Sequence, residues 1–309
     1  MAEREPPPFI VKDILYAGSA AALVSAANVG KTFIALDMAF HVAAGIPWHG
    51  YQTQRTPVIY VLAEGVGGMA TRVKAWRISR DVPQGVAVGV WFWDKDVQLA
   101  NFPSRQAFAA ELAKVESEAG MPPGLIIVDT LARCFVGFDE NAAQDMGRFV
   151  EGIDMLRASG AAVLVLHHEG HLKGRERGST ALRGAVDTML HLANGEGGCL
   201  VLSCQKQRET EPFDTQYLML RTVDLPGGKT SCIVEDAPAS SIPVSGKWQE
   251  AVDVLAKYPD GSTAIEWRKA VPWLAERTFF RMKKEVLNRG LVHERDGKFY
   301  HPMFRKEPS

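Results

Sequence analysis

The run Ser25-Ala26-Ala27-Asn28-Val29-Gly30-Lys31-Thr32, followed by Phe33, holds the residue types that most directly imply chemistry in this chain. A loop of small residues closing on Gly-Lys-Thr, ahead of a helical pattern, aims several backbone N–H groups at one point. The dipole of the following helix favours an anion there. Lys31 brings a point charge to the β- and γ-phosphates of a nucleotide, and the Thr32 hydroxyl is a ligand for Mg²⁺. The reading is ATP bound with Mg²⁺ along Ser25, Ala27, Asn28, Val29, Gly30, Lys31, Thr32 and Phe33. The loop departs from G-x-x-x-x-G-K-[ST] once, where the small residue Ser25 stands for the first Gly. The bland alternative is a Gly-Lys-Thr that only caps a helix.

A Mg²⁺-nucleotide needs acids from neighbouring strand ends. Asp129 closes LIIVDT and is placed to hold the metal through water. The next residue is Thr130, so a general base has to come from another strand. Glu64, closing VIYVLAE, is the candidate that polarises the attacking water; its alternative is a solvated helix cap. His167 and His168 close AVLVLHH, where a neutral imidazole can sense the γ-phosphate. A metal site with Glu169 and His171, or a structural pair, are the competing readings. The segment GHLKGRERGSTALRGAVD (170–187) is basic and Gly-rich and reads as a mobile loop. Its Lys173, Arg175, Arg177 and Arg183 suit a nucleic-acid backbone, an arginine finger toward a neighbouring subunit, or plain solvent. Lys206 and Arg208 are two apart at a strand end and share one side. They suit a pair reaching across an interface to a γ-phosphate, or an ordinary charged strand end.

These residues need elements to hold them. The runs at 21–25, 57–64, 90–94, 125–130 and 162–168 are short, apolar and rich in β-branched residues, which predicts buried strands. Helical patterns over 30–44, 67–79, 104–119 and 141–158 alternate with them. That alternation predicts an α/β core with a mostly parallel sheet covered on both faces. Four more strand-like runs after residue 185 read as antiparallel additions to the same sheet.

With the strands in place, the ordered set of AEG at 63–65, the single-acid LIIVDT, LHH at 166–168, RGST at 177–180 and a Lys-x-Arg strand end resembles the RepA-type hexameric replicative helicases. These are plasmid- and phage-type members of the RecA/DnaB-like ATPases. The likeness spans about residues 12–235. It implies a RecA-like P-loop fold, Lys31 and Thr32 on phosphate and Mg²⁺, Glu64 as base, and Asp129 as the Walker B acid. It further implies His167 as sensor, Arg177 as arginine finger and Arg72 beside the nucleotide. In such proteins ATP sits between subunits of a ring, and single-stranded DNA threads the pore.

The organisation expected is a flexible arm over 1–11, the ATPase core over 12–236, a Pro/Ser-rich linker over 237–246, and a separate module over 247–309. In that module three helical patterns precede two short strands around Asp296-Gly297, the layout of a winged helix-turn-helix. Thr263 and Glu266 stand at capping-box spacing. Phe279, Phe280, Trp267 and Trp273 read as its core. The module carries 13 Lys and Arg against nine Asp and Glu, and the rest of the chain carries 22 against 27. Arg277, Arg281, Lys283 and Lys284 on the expected recognition helix are candidates for duplex DNA contact.

Length and charge bound the answer. The 309 residues fit one large domain, or one medium and one small, at about 150 residues each. The formal net charge of −1 excludes a protein that coats DNA by bulk charge. Four Cys without a C-x-x-C pair read as reduced thiols. No apolar stretch nears the ~20 residues of a membrane span, and the N-terminus lacks a signal-peptide pattern, so a soluble, cytoplasmic protein is expected; the resemblance to ring helicases implies a homo-oligomer. The function expected is a hexameric DNA helicase of plasmid or phage replication. The alternatives are a filament-forming strand-exchange ATPase and a nucleotide-switched DNA-binding regulator.

Overall fold

The computed structural model describes residues 7–83, 88–95, 97–140, 142–169, 180–238, 246–288 and 291–304. The chain divides into two compact units, Met1–Asn194 with Leu200–Asp236, and Gly195–Cys199 with Ala237–Ser309.

The first unit opens with β1 (Phe9–Val11), β2 (Leu15–Tyr16) and β3 (Ala20–Ser25), then α1 (Lys31–Ala44), β4 (Val58–Leu62), α2 (Val66–Ser79) and β5 (Val90–Trp93). It continues with α3 (Phe102–Ala119), β6 (Leu125–Asp129), α4 (Ala143–Arg157), β7 (Ala162–His168) and α5 (Thr180–Ala185). It closes with β8 (Thr188–Asn194), β9 (Cys199–Lys206), β10 (Gln216–Leu225) and β11 (Lys229–Asp236).

Nine of these strands form one sheet in the order β11-β10-β9-β8-β3-β7-β6-β4-β5. The six from β8 to β5 are parallel. The α/β core with a mostly parallel central sheet is therefore the architecture expected from the sequence. β3 lies at its middle with all six residues buried, which is why it reads as an unbroken apolar run.

Side-chain alternation sorts the core into two layers. Ala21, Leu23, Tyr60, Leu62, Ile127, Leu164 and Leu166 face α1 and α2. Ala22, Val24, Ile59, Val61, Ile126, Val163 and Val165 face α3 and α4. The helix ends follow local chemistry. Asn101 caps α3 by accepting from the Ser104 N–H at 3.0 Å, and Gly45 ends α1 in the left-handed region at φ 69°. Gly152 lets α4 approach the chain at Leu99, since a Cβ there would meet the Leu99 carbonyl oxygen at 2.4 Å.

Three expectations are corrected. The arm does not extend to residue 11: Phe9–Val11 pairs with β2, with Ile10 and Val11 buried, because apolar side chains after the prolines have a core to enter. The first run after residue 185, β8, is parallel to β3, whereas β9 is antiparallel to β8. The segment 170–187 is not loop throughout: α5 forms at its end and seats Leu182 and Val186 in the α3–α4 layer, supplying the crossover into β8. Residues 170–179 lie outside the described residues.

The second unit holds α6 (Gly246–Val254), β12 (Ser262–Thr263), α7 (Ala264–Ala270), α8 (Glu276–Asn288), β13 (His293–Arg295) and β14 (Lys298–Tyr300). β13 and β14 form a hairpin over Asp296 (φ 52°) and Gly297 (φ 73°), and β12 adds to β14 as a third strand. Thr263 and Glu266 make both bonds of a capping box. Trp267, Phe279, Met282, Val286 and Phe299 form a separate core. Trp273 and Phe280, expected inside, are 44% and 50% exposed. Trp273 lies in the turn before α8, and Phe280 follows the buried Phe279 by one residue, which turns it about 100° round the helix. Among the described residues, no helix is long and apolar enough to cross a membrane. None of the four cysteines is in a disulfide.

Candidate functional site

All parallel strands of the sheet end on one edge, where open α/β sheets bind ligands. The loop from Ser25 to Gly30 leaves β3 there. Asn28 (φ 64°) and Gly30 (φ 119°) both take left-handed backbone, which tightens the loop ahead of α1. Gly30 needs no Cβ at that angle, whereas a side chain would be strained. Ala26, Ala27 and Asn28 are exposed, and Val29 is buried beneath the loop.

A pocket of about 420 Å³ opens at this edge, lined by Asn28, Gly30, Lys31, Thr32, Phe33, Glu64, Arg72, Asp129 and His168 among others. Lys31 Nζ donates to Ser25 Oγ at 3.0 Å, to the Ser25 carbonyl at 3.3 Å and to the Ala26 carbonyl at 3.2 Å. Burial pushes the Lys31 ammonium pKa down, against the pull of Asp129, Glu64 and Glu169. Arg72 of α2 lies over the Phe33 ring, 5.0 Å from its centroid.

Thr32 Oγ1 donates to Asp129 Oδ2 at 2.9 Å, and the Tyr60 hydroxyl donates to the same oxygen at 2.8 Å. Asp129 Oδ1 is buried without a hydrogen-bond partner in the protein. A hydroxyl and a carboxylate with one uncommitted oxygen, side by side at the phosphate loop, are the hard oxygen donors Mg²⁺ takes. The residues therefore fit the metal that a P-loop nucleotide carries. Burial raises the Asp129 pKa, and the Tyr60 and Thr32 hydrogen bonds oppose that rise.

Glu64 stands two residues past β4. Its carboxylate lies 3.7 Å from His168 Nε2 and 3.5 Å from Arg133 Nε. His168 Nδ1 sits 3.1 Å from Lys31 Nζ. An ammonium only donates, so Nδ1 accepts and the proton of the neutral ring lies on Nε2, toward Glu64. Burial and the Lys31 charge lower the His168 pKa, with Glu64 pulling the other way. Glu169, one residue on, pairs with His191 of β8.

The histidine at the pocket is thus His168, not His167. The reason is strand parity. Residues 58, 60 and 62 of β4, 125 and 127 of β6, and 162, 164 and 166 of β7 all face the α1 layer. Glu64, Asp129 and His168 continue those series; His167 falls on the other and is buried. Parity was the signal in the sequence that distinguishes the two. Tyr60 carries the same signal. Arg133, from a short 3-10 turn after β6, carried none.

The remaining candidates fall elsewhere. Arg177, Lys173 and Arg175 lie outside the described residues, as does His171. Among the described residues no group of three or more His, Cys, Asp or Glu is arranged to hold a metal. Lys206 and Arg208 are engaged within their own chain rather than left free at the strand end. Lys206 Nζ donates to the carbonyls of Arg183 (2.6 Å) and Val186 (2.5 Å), and Arg208 donates to the Gly184 carbonyl (2.7 Å) and Asp187 (3.2 Å). The free carbonyls at the end of α5 and the buried Asp187 attract them. β9 runs antiparallel to β8, with Met189 opposite Lys206, so both cations sit on the sheet edge opposite the phosphate pocket. Arg183 is exposed on α5. In the second unit Arg277, Arg281 and Lys284 are exposed on α8. Lys283 is turned inward, its ammonium 4.8 Å from the Phe299 ring centroid.

The AAA domain family matches residues 1–174. Among solved structures the chain is similar to a KaiC-like protein from the hyperthermophilic archaeon Pyrococcus horikoshii OT3. The identity is 12% and the TM-score 0.46, over 74% of this chain and 96% of that one. The comparison with curated proteins finds no match.

Proposed function

The chain belongs to the AAA domain family, and from that premise we propose that it hydrolyses ATP between the subunits of a ring to move along single-stranded DNA. The reading is of a replicative helicase of plasmid or phage type. The observation that carries the ATPase half is the meeting of Lys31, Thr32, Asp129, Glu64 and His168 around one pocket. The loop amides, Lys31 and Arg72 bind the phosphates. Thr32 and Asp129 would hold Mg²⁺, whose charge offsets that of the β- and γ-phosphates. Glu64 accepts a proton from the attacking water. His168, between Lys31 and Glu64, orients that carboxylate and is placed to feel whether the γ-phosphate occupies the lysine.

Assembly in a ring is supported by the likeness of the core motifs to ring-forming helicases, in which ATP sits between subunits. Action on DNA is supported by the likeness of the core motifs to RepA-type helicases and by the cationic winged-helix-like module. The test is strand displacement on forked DNA with ATP, run beside electron microscopy. Unwinding by closed rings is expected. Filaments that hydrolyse ATP without unwinding would turn the reading to strand exchange.

A further inference from the structure

The second unit carries a surface that ATP chemistry does not use. α8 buries Phe279, Met282 and Val286 along one side. At 3.6 residues per turn the opposite side is Arg277, Phe280, Arg281 and Lys284, spaced i, i+3, i+4 and i+7. All four are exposed. The acids Glu276 and Glu285 fall on the flanks between the two sides, so the outward stripe holds cations around one phenyl ring.

That ring is fixed. Phe280 packs edge-on against the fully buried Phe279, with centroids 5.6 Å apart and planes at 73°. Half of it remains in water. Arg281 is likewise steadied over the Trp248 ring at 5.7 Å. A phenyl held upright in solvent adds nothing to this unit's core and works against solubility. Lys283 Nζ also lies over this ring, 5.9 Å from its centroid, and a ring so ordered lowers the entropy cost of stacking.

We propose that this stripe is a stacking platform for unpaired bases of single-stranded DNA, with Phe280 taking a base face and Arg277, Arg281 and Lys284 the flanking phosphates. A polyanion is the partner that complements a stripe free of acids. Single-stranded DNA is favoured over duplex because paired, stacked bases cover the faces on which a phenyl stacks. The inference rests on the reading that the protein acts on DNA. It changes the residue set: Lys283, turned to its own aromatics, leaves it, and Phe280 enters.

The experiment uses the full chain without nucleotide and measures anisotropy of a fluorescein-labelled oligo-dT strand and of a hairpin duplex, each across a salt series. Phe280→Ala should weaken the single strand by about tenfold, within the range of one lost base stack, and leave the salt slope unchanged. Phe280→Trp should restore binding. Lys284→Ala should lower the magnitude of that slope by about 0.7. Equal losses on duplex and single strand would overturn the proposal in favour of a groove reader. Unchanged binding to both, with altered particle mass, would overturn it in favour of a protein contact. ATP turnover and strand displacement by the unaltered chain are scored apart, so a failed helicase reading and a failed stacking platform give different results.

Discussion

Burial of the Asp129 carboxylate works against the fold. Burial raises its pKa above the unfolded value, so the stability penalty is present above that value and relieved as the carboxyl protonates in acid. Asp129→Asn removes the charge while an amide oxygen can still accept from Thr32. We expect its Tm to rise by about 2 °C in calorimetry while ATP turnover collapses, the trade expected where a site is kept at the expense of stability. Glu64→Gln should keep nucleotide binding, read by a fluorescent ATP analogue, while turnover falls roughly 10²- to 10⁴-fold. Lys31→Ala should lose both. Retained turnover in either would move the base or the phosphate site elsewhere. At this scale the two acids were legible because each closes an apolar run, and the lysine because it stands in Gly-Lys-Thr between a strand and a helix. The choice between His167 and His168 was legible only by counting parity along three strands at once.

At the scale of elements, the body of α1 beyond its pocket residues Lys31 and Thr32 is anchored by a polar network that no motif announced. Asp37 accepts from the indoles of Trp48 (2.9 Å) and Trp76 (3.3 Å), and His49 bridges it to Asp236 at the end of β11. These contacts tie α1 to α2, to the loop after α1 and to the last strand of the sheet. Burial lowers the His49 pKa, but hydrogen bonds and charge from Asp37 and Asp236 outweigh it, and the net shift is upward. His49 therefore stabilises the fold below its unfolded pKa, and that contribution is lost as pH rises through the folded value. His41, beside Asp37 and Arg80, is shifted down chiefly by burial and runs the opposite way, as does His168. The difference between wild type and His49→Asn isolates the bridge, since Asn tolerates the φ of 46° at this position. The wild-type advantage in Tm should be largest at about pH 6 and shrink by about pH 9. A constant gap would show that the bridge does not titrate. Lys206 and Arg208 teach the same lesson: their spacing was legible, but their partners are carbonyls of a helix twenty residues away.

At the scale of the whole molecule, two units with separate apolar cores share a charge near zero. The net of −1 is an average over an acidic ATPase core and a basic C-terminal module, so it says little about nucleic acid. Removing residues 246–309 should leave ATP turnover in place, since the pocket is built wholly from residues 25–168. DNA affinity should fall by about tenfold in an anisotropy titration. Unchanged affinity would place the DNA site wholly outside this module.

The sequence by itself determined the βα alternation, the phosphate loop, the two acids and the hairpin at Asp296-Gly297, because each rests on local chemistry or on periodicity within a few residues. Only the tertiary structure decided that Phe9–Val11 is strand, that Lys206 and Arg208 bind the end of α5, and that Phe280 stands outside. Those outcomes depend on which face of a neighbouring strand or helix is already filled, and residues far apart in the chain set that.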